Sequence, residues 1–197
     1  MDGLIDLNDT ADCNCGDKYI TTIIPNPSFE SHSSCPASSY YGMNNVDFWM
    51  DASFTTTTLT ASTCEYFNCG YRLPYAPAIF PHGNGAVGFA VSNSHAKEYF
   101  GTCLLDTLHA GVTYELEFEY SYGGSTSYRP IALFGSINCA NLPYSVTPIG
   151  PFSSSCPTLN PNWIMLDTVN PILNTTSWNS YSFIFTPTTD ITTIVIG

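Results

Sequence analysis

Glu115, Glu117 and Glu119 alternate with apolar residues along one short run. If that run is a strand, all three carboxylates share a face and neighbours stand about 7 Å apart. Paired carboxylates at such a spacing can serve as the acid and the nucleophile or base of a glycosidase. The same pattern also describes a solvated strand face, and nothing else in the chain completes a catalytic set. No G-x-S-x-G elbow occurs, and His32, His82, His95 and His109 stand in no motif that would make one of them a general base. The chain reads as a non-enzyme.

The other reactive atoms belong to eight cysteines: Cys13, Cys15, Cys35, Cys64, Cys69, Cys103, Cys139 and Cys156. An even, high count in a Ser- and Thr-rich chain points to disulfides and an oxidising compartment. No C-x-x-C pair occurs and only four histidines are present, so a zinc cluster is not expected. Cys13 and Cys15 are too close for a comfortable mutual bridge. Cys139 and Cys156 bracket one proline-rich stretch, and pairing them would close it.

Bulk composition narrows the partners. The chain has 197 residues, 44% hydrophobic and only 10% charged, which suits an extracellular β-protein with a proper core. Sixteen acids against four Lys plus Arg give a net charge of -12. Phosphate binding needs clustered positive charge, so neither nucleic acid nor an anionic membrane surface is an expected partner. Acidity of this degree serves solubility, or the binding of divalent cations. No apolar run approaches the roughly 18 residues of a membrane span. Met1 is followed by acidic and polar residues rather than by a signal-peptide pattern. These ends, with the stop at Ile196-Gly197 inside an apparent strand, suggest a mature piece of a longer multidomain protein.

Two segments follow from the pattern along the chain. Residues 1–18 hold Asp2, Asp6, Asp9, Asp12 and Asp17 and read as an Asp-rich linker or the end of a calcium-repeat segment. Their spacing does not complete an EF-hand loop. Residues 19–197 read as one all-β domain. Alternation and β-branched or aromatic content predict strands near 19–24, 46–52, 54–60, 85–92, 97–105, 112–122, 130–137, 163–169, 179–186 and 191–196. Residues 61–84 and 138–162 are long, irregular and proline-rich, and such loops need pinning or a job. No window carries a helical apolar stripe.

Three stretches together carry a resemblance. Pro25-Asn26-Pro27-Ser28-Phe29-Glu30 comes first, then Glu98-Tyr99-Phe100 through Tyr114 to Tyr120, then Trp178 through Phe185-Thr186-Pro187. This order resembles the jelly-roll modules of carbohydrate-binding type found in surface proteins that gliding bacteria export by the type IX route. The resemblance covers residues 19–197 and implies a two-sheet antiparallel jelly-roll sandwich with long disulfide-braced loops, its C-terminal strand missing here. It implies a bridge between Cys35 and Cys69, which leaves Cys64 with Cys103 as the remaining pair. It also implies a structural Ca²⁺ on Glu30, with Asn26 beside it; the alternative is that both merely stabilise a turn. Trp49 and Trp178 are expected in or over the core. Asp-Thr-apolar triplets place candidate O-glycosylation at Thr10, Thr107 and Thr168.

The function this implies is a non-catalytic cell-surface recognition or adhesion module whose partner is polysaccharide or another surface component. The alternative is a structural spacer or assembly domain of a large secreted gliding or adhesion protein, without a sugar pocket. For sugar binding, the loop residues Tyr66, Arg72, Tyr75, Tyr122, Tyr128 and Arg129 are the candidates. A tyrosine would stack on a pyranose while an arginine holds hydroxyls or a uronic acid.

Overall fold

The computed structural model describes residues 22–37, 42–52, 64–72, 77, 79–89, 98–123, 130–144, 156–172 and 176–197. Tyr75, Tyr128, Arg129, Thr10, the Asp-rich segment 1–18 and the strand expected at 54–60 lie outside the described residues.

Among the described residues the chain is all-β. Its strands are β1 (Trp49–Asp51), β2 (Glu65–Phe67), β3 (Ala86–Gly88), β4 (Phe100–Leu108), β5 (Tyr114–Tyr120), β6 (Ile131–Ser136), β7 (Ile164–Val169), β8 (Asn179–Phe185) and β9 (Ile191–Ile196). Short 3₁₀ turns at Met43–Asn45, Cys139–Asn141 and Pro157–Leu159 are the only helical elements among them. Every strand pairing is antiparallel. One sheet has five strands in the order β1-β4-β9-β6-β7; β2 pairs with β3, and β5 with β8.

Period-two alternation explains how these sheets stack. Along β5, Tyr114, Leu116, Phe118 and Tyr120 turn toward the core, while Glu115 and Glu117 face solvent. On β8, Phe183 and Phe185 join the same cluster. The five-stranded sheet answers from the other side with Ile131, Leu133, Ile191, Ile194 and Ile196. The result is a sandwich-like arrangement of two layers over one apolar core. Glu119 is held across the strands by a 2.6 Å hydrogen bond from the Ser180 hydroxyl. Asp167 fastens β8 to β7 by accepting the Ile184 amide at 2.8 Å.

The residues between those just named, Ala132, Phe134 and Val195, point the opposite way. They form a second cluster with Tyr99, Leu142, Tyr144 and Trp163. The five-stranded sheet is therefore buried on both faces, with segments 138–144 and 156–163 covering the outer one.

Among the described residues two disulfides form, Cys35–Cys69 and Cys103–Cys139, with Cα–Cα distances of 5.8 and 5.5 Å. The expected Cys139–Cys156 and Cys64–Cys103 bridges do not form, and Cys64 and Cys156 are free thiols. The reason is the sheet itself. Strand registers align Cys103, Thr193 and Ser136 in one row on the outer face, and Cys139 follows three residues after Ser136. Cys64 is wholly buried in the core on the opposite side. Cys156 packs against the outer cluster, with its sulfur 3.2 Å from the Thr158 hydroxyl.

Candidate functional site

One corner of the domain gathers the unusual backbone. Asn26 (φ 46°), Phe29 (φ 57°), Phe48 (φ 71°) and Cys69 (φ 54°) are the described non-glycine residues with positive φ. Such conformations disfavour side chains, most of all bulky ones, and persist only where the surroundings over-determine them. Here a hydrogen-bonded network supplies that constraint. The Asn26 amide donates to the Ser31 carbonyl at 2.9 Å and the Asp47 carbonyl at 3.1 Å, and its oxygen accepts the Ser31 N–H at 2.9 Å. The Phe29 carbonyl accepts the Tyr66 hydroxyl at 2.8 Å, and the Asn68 amide donates to that same hydroxyl at 2.8 Å. Trp49 lies beneath, 5% exposed, with its indole N–H on the Pro25 and Asn26 carbonyls.

Glu30 closes the corner. Its Oε1 accepts the backbone N–H groups of Asn84 and Gly85 at 2.5 and 2.6 Å. Residue 85 must be glycine, because a Cβ there would sit 2.5 Å from the Phe29 carbonyl oxygen. As arranged, Asn26 and Glu30 do not fit a calcium site. A hard cation needs six or more oxygens, yet the Asn26 side chain is committed to the turn and N–H donors converge on Glu30 Oε1. We expect excess Ca²⁺ or a chelator to leave the melting temperature unchanged. Glu30→Ala should cost about 1–2 kcal/mol in urea unfolding, by orphaning two amide donors. A calcium-dependent melt abolished in that variant would restore the metal.

Of the expected ligand residues, Tyr66 is fully buried, with its ring in the core, so it cannot stack on a sugar. Burial pushes its hydroxyl pKa up. Arg72 is exposed on the turn after Cys69, and Tyr122 is half-buried at the end of β5. Sequence reading passed over Tyr71, which is 41% exposed and whose N–H bonds the Asn68 carbonyl at 2.9 Å. It also passed over Phe48, 63% exposed. The signal for Tyr71 was its position directly before one of only two arginines. Thr168 is exposed on β7 and Thr107 half-buried on β4, each amide held by the preceding aspartate at 2.7 Å.

A second convergence was invisible in the sequence. Asp51, Cys64, Glu65 and Glu98 meet where β1 ends and β2 begins. Burial raises Asp51 to about 6, although hydrogen bonds from Cys64 and Met43 oppose the change. Burial raises Glu65 to about 7, with the Asp51 charge adding to it. The buried Cys64 thiol is pushed well up by desolvation and then by the three carboxylates. Such a thiol stays protonated and unreactive.

Among the described residues no helix is long and apolar enough to cross a membrane. Two disulfides belong to an oxidising, non-cytosolic setting. No family model matches this chain, and no curated protein is significantly similar to it.

Proposed function

We propose that this domain is a non-catalytic, extracellular recognition or adhesion module of jelly-roll type that binds polysaccharide at the strained corner. One observation carries the reading. Tyr71 and Arg72 stand exposed and adjacent on a turn fixed by the Cys35–Cys69 bridge and the Asn68 network. An aromatic face beside a guanidinium on a rigid loop is what a sugar-binding surface needs. In a chain of net charge -12, that arginine is also what would let an acidic glycan approach. The exposed Phe48, held in a left-handed conformation next to Asp47, offers a further apolar surface at the same network. The motif order shared with carbohydrate-binding jelly rolls of gliding-bacterial surface proteins supports the same assignment.

A glycan array that includes uronic acid polymers tests it. Wild type should bind, and Tyr71→Ala and Arg72→Ala should each weaken binding about tenfold while the β-sheet circular dichroism is kept. A folded wild type that binds no glycan would leave the spacer or assembly role instead.

A further inference from the structure

We propose that Cys35–Cys69 is an exchange-competent disulfide that accepts attack by a thiol at Cys35, with His32 assisting the departure of the Cys69 sulfur. Both cysteines are exposed, so a thiol can reach them. His32, Cys35 and Cys69 bring their reactive atoms within 4.8 Å of one another. Within that group, His32 Nε2 stands 3.8 Å from Cys69 Sγ.

The other ring nitrogen decides what His32 does there. Nδ1 is buried and has no hydrogen-bond partner among the described residues. A buried N–H without an acceptor is rarer and costlier than an unused lone pair. The favoured neutral tautomer therefore carries its proton on Nε2 and aims it at sulfur. A metal-binding imidazole would need the opposite tautomer, with Nδ1–H bonded to a second partner, and no such partner is present among the described residues. The ring is steadied by Tyr66, 6.0 Å away between centroids, and the backbone by the bridge between His32 and Val46.

In the exchange, an incoming thiolate forms a new S–S bond to Cys35 as the Cys35–Cys69 bond breaks. The electron pair leaves on Cys69 as a thiolate, which the Nε2–H of His32 stabilises by hydrogen bonding. A better-stabilised leaving thiolate departs faster. A second equivalent of thiol can then displace Cys35, so that two thiols are oxidised to one external disulfide and the protein bridge is reduced. Cys103–Cys139 differs: Cys139 is exposed but Cys103 is half-buried on the sheet, and among the described residues neither joins such a group with histidine.

The test exposes native protein to millimolar glutathione at pH 7.5 with a chelator, followed by alkylation and peptide mass spectrometry. Glutathione should appear on Cys35 and alkylation on Cys69, on the order of tenfold faster than Cys103–Cys139 opens. His32→Ala should remove most of that advantage. Equal opening of the two bridges in wild type, or an unchanged rate in a folded His32→Ala, overturns the proposal. The wild-type comparison is decisive by itself should the variant fail to fold.

Discussion

Replacing both Cys103 and Cys139 by serine should destabilise this domain by about 4 kcal/mol, the chain-entropy value for a bridge that closes a loop of this size. The two cysteines are separated by 36 residues. Their bond does more than tether a loop. It fixes the start of segment 138–144 across the outer face of β4, β9 and β6, where Leu142 and Tyr144 cover Phe134 and Val195. Gly101 makes room for that cover, since a Cβ there would meet Leu142 at 2.9 Å. Urea unfolding without reductant should show the loss as a lower midpoint. Trp163, 2% exposed in the same cluster, should shift its emission to the red as the cover loosens. A loss under about 1 kcal/mol would mean that packing alone holds the segment.

Acidification should stabilise the protein. Asp51 and Glu65 carry pKa values of about 6 and about 7 when folded, against 3.8 and 4.5 ordinarily. Below about pH 3 both groups are protonated in either state and no penalty exists. As pH rises from there toward 7, the unfolded chain releases these protons first, so it binds fewer than the native state and stability falls. Above about pH 8 both are ionised and the cost is complete. At about 1.4 kcal/mol per pH unit, the nominal total is roughly 6 kcal/mol. Both side chains are partly solvated, which halves this to about 3 kcal/mol. Among the described residues the ionisable groups facing them are Cys64 and Glu98, and neither supplies a positive charge. Melting temperature should therefore climb between pH 8 and pH 5. Asp51→Asn with Glu65→Gln should flatten that climb and raise stability at pH 8. The new carboxamide at position 51 keeps an oxygen for the Cys64 amide, now 2.8 Å from Asp51 Oδ1. A pH profile identical in the double variant would remove this pair as its cause.

Strands were readable because alternation is a local property. The runs expected at 112–122, 163–169, 179–186 and 191–196 correspond to Tyr114–Tyr120, Ile164–Val169, Asn179–Phe185 and Ile191–Ile196. Residues 114–120 and 181–185 carry an aromatic or aliphatic side chain at every second position, while 164–169 and 191–196 are short runs rich in aliphatic and β-branched residues. Glu65–Phe67 escaped notice because three residues are too few to show a period, and they sit inside a stretch of cysteines and prolines. Trp49 was expected in the core from the resemblance, and it lies there, 5% exposed.

The rest depended on which strands become neighbours. Tyr66 and Tyr71 look alike in the sequence, five residues apart in one irregular region; the network around Phe29 buries the first and leaves the second exposed. Cys139 lies nearer Cys156 along the chain, yet the order β4-β9-β6 sets it against Cys103, because hydrogen-bonded sheets bring together residues that chain distance keeps apart. Asp51, Glu65 and Glu98 come from three separate segments, and only their meeting around the buried Cys64 turns two ordinary acids, Asp51 and Glu65, into groups that titrate near neutrality. Alternation, turn residues and cysteine parity are written into short windows of this chain. Burial, disulfide partners and shifted protonation arise from the field and packing of residues far away in sequence, and so belong to the tertiary structure alone.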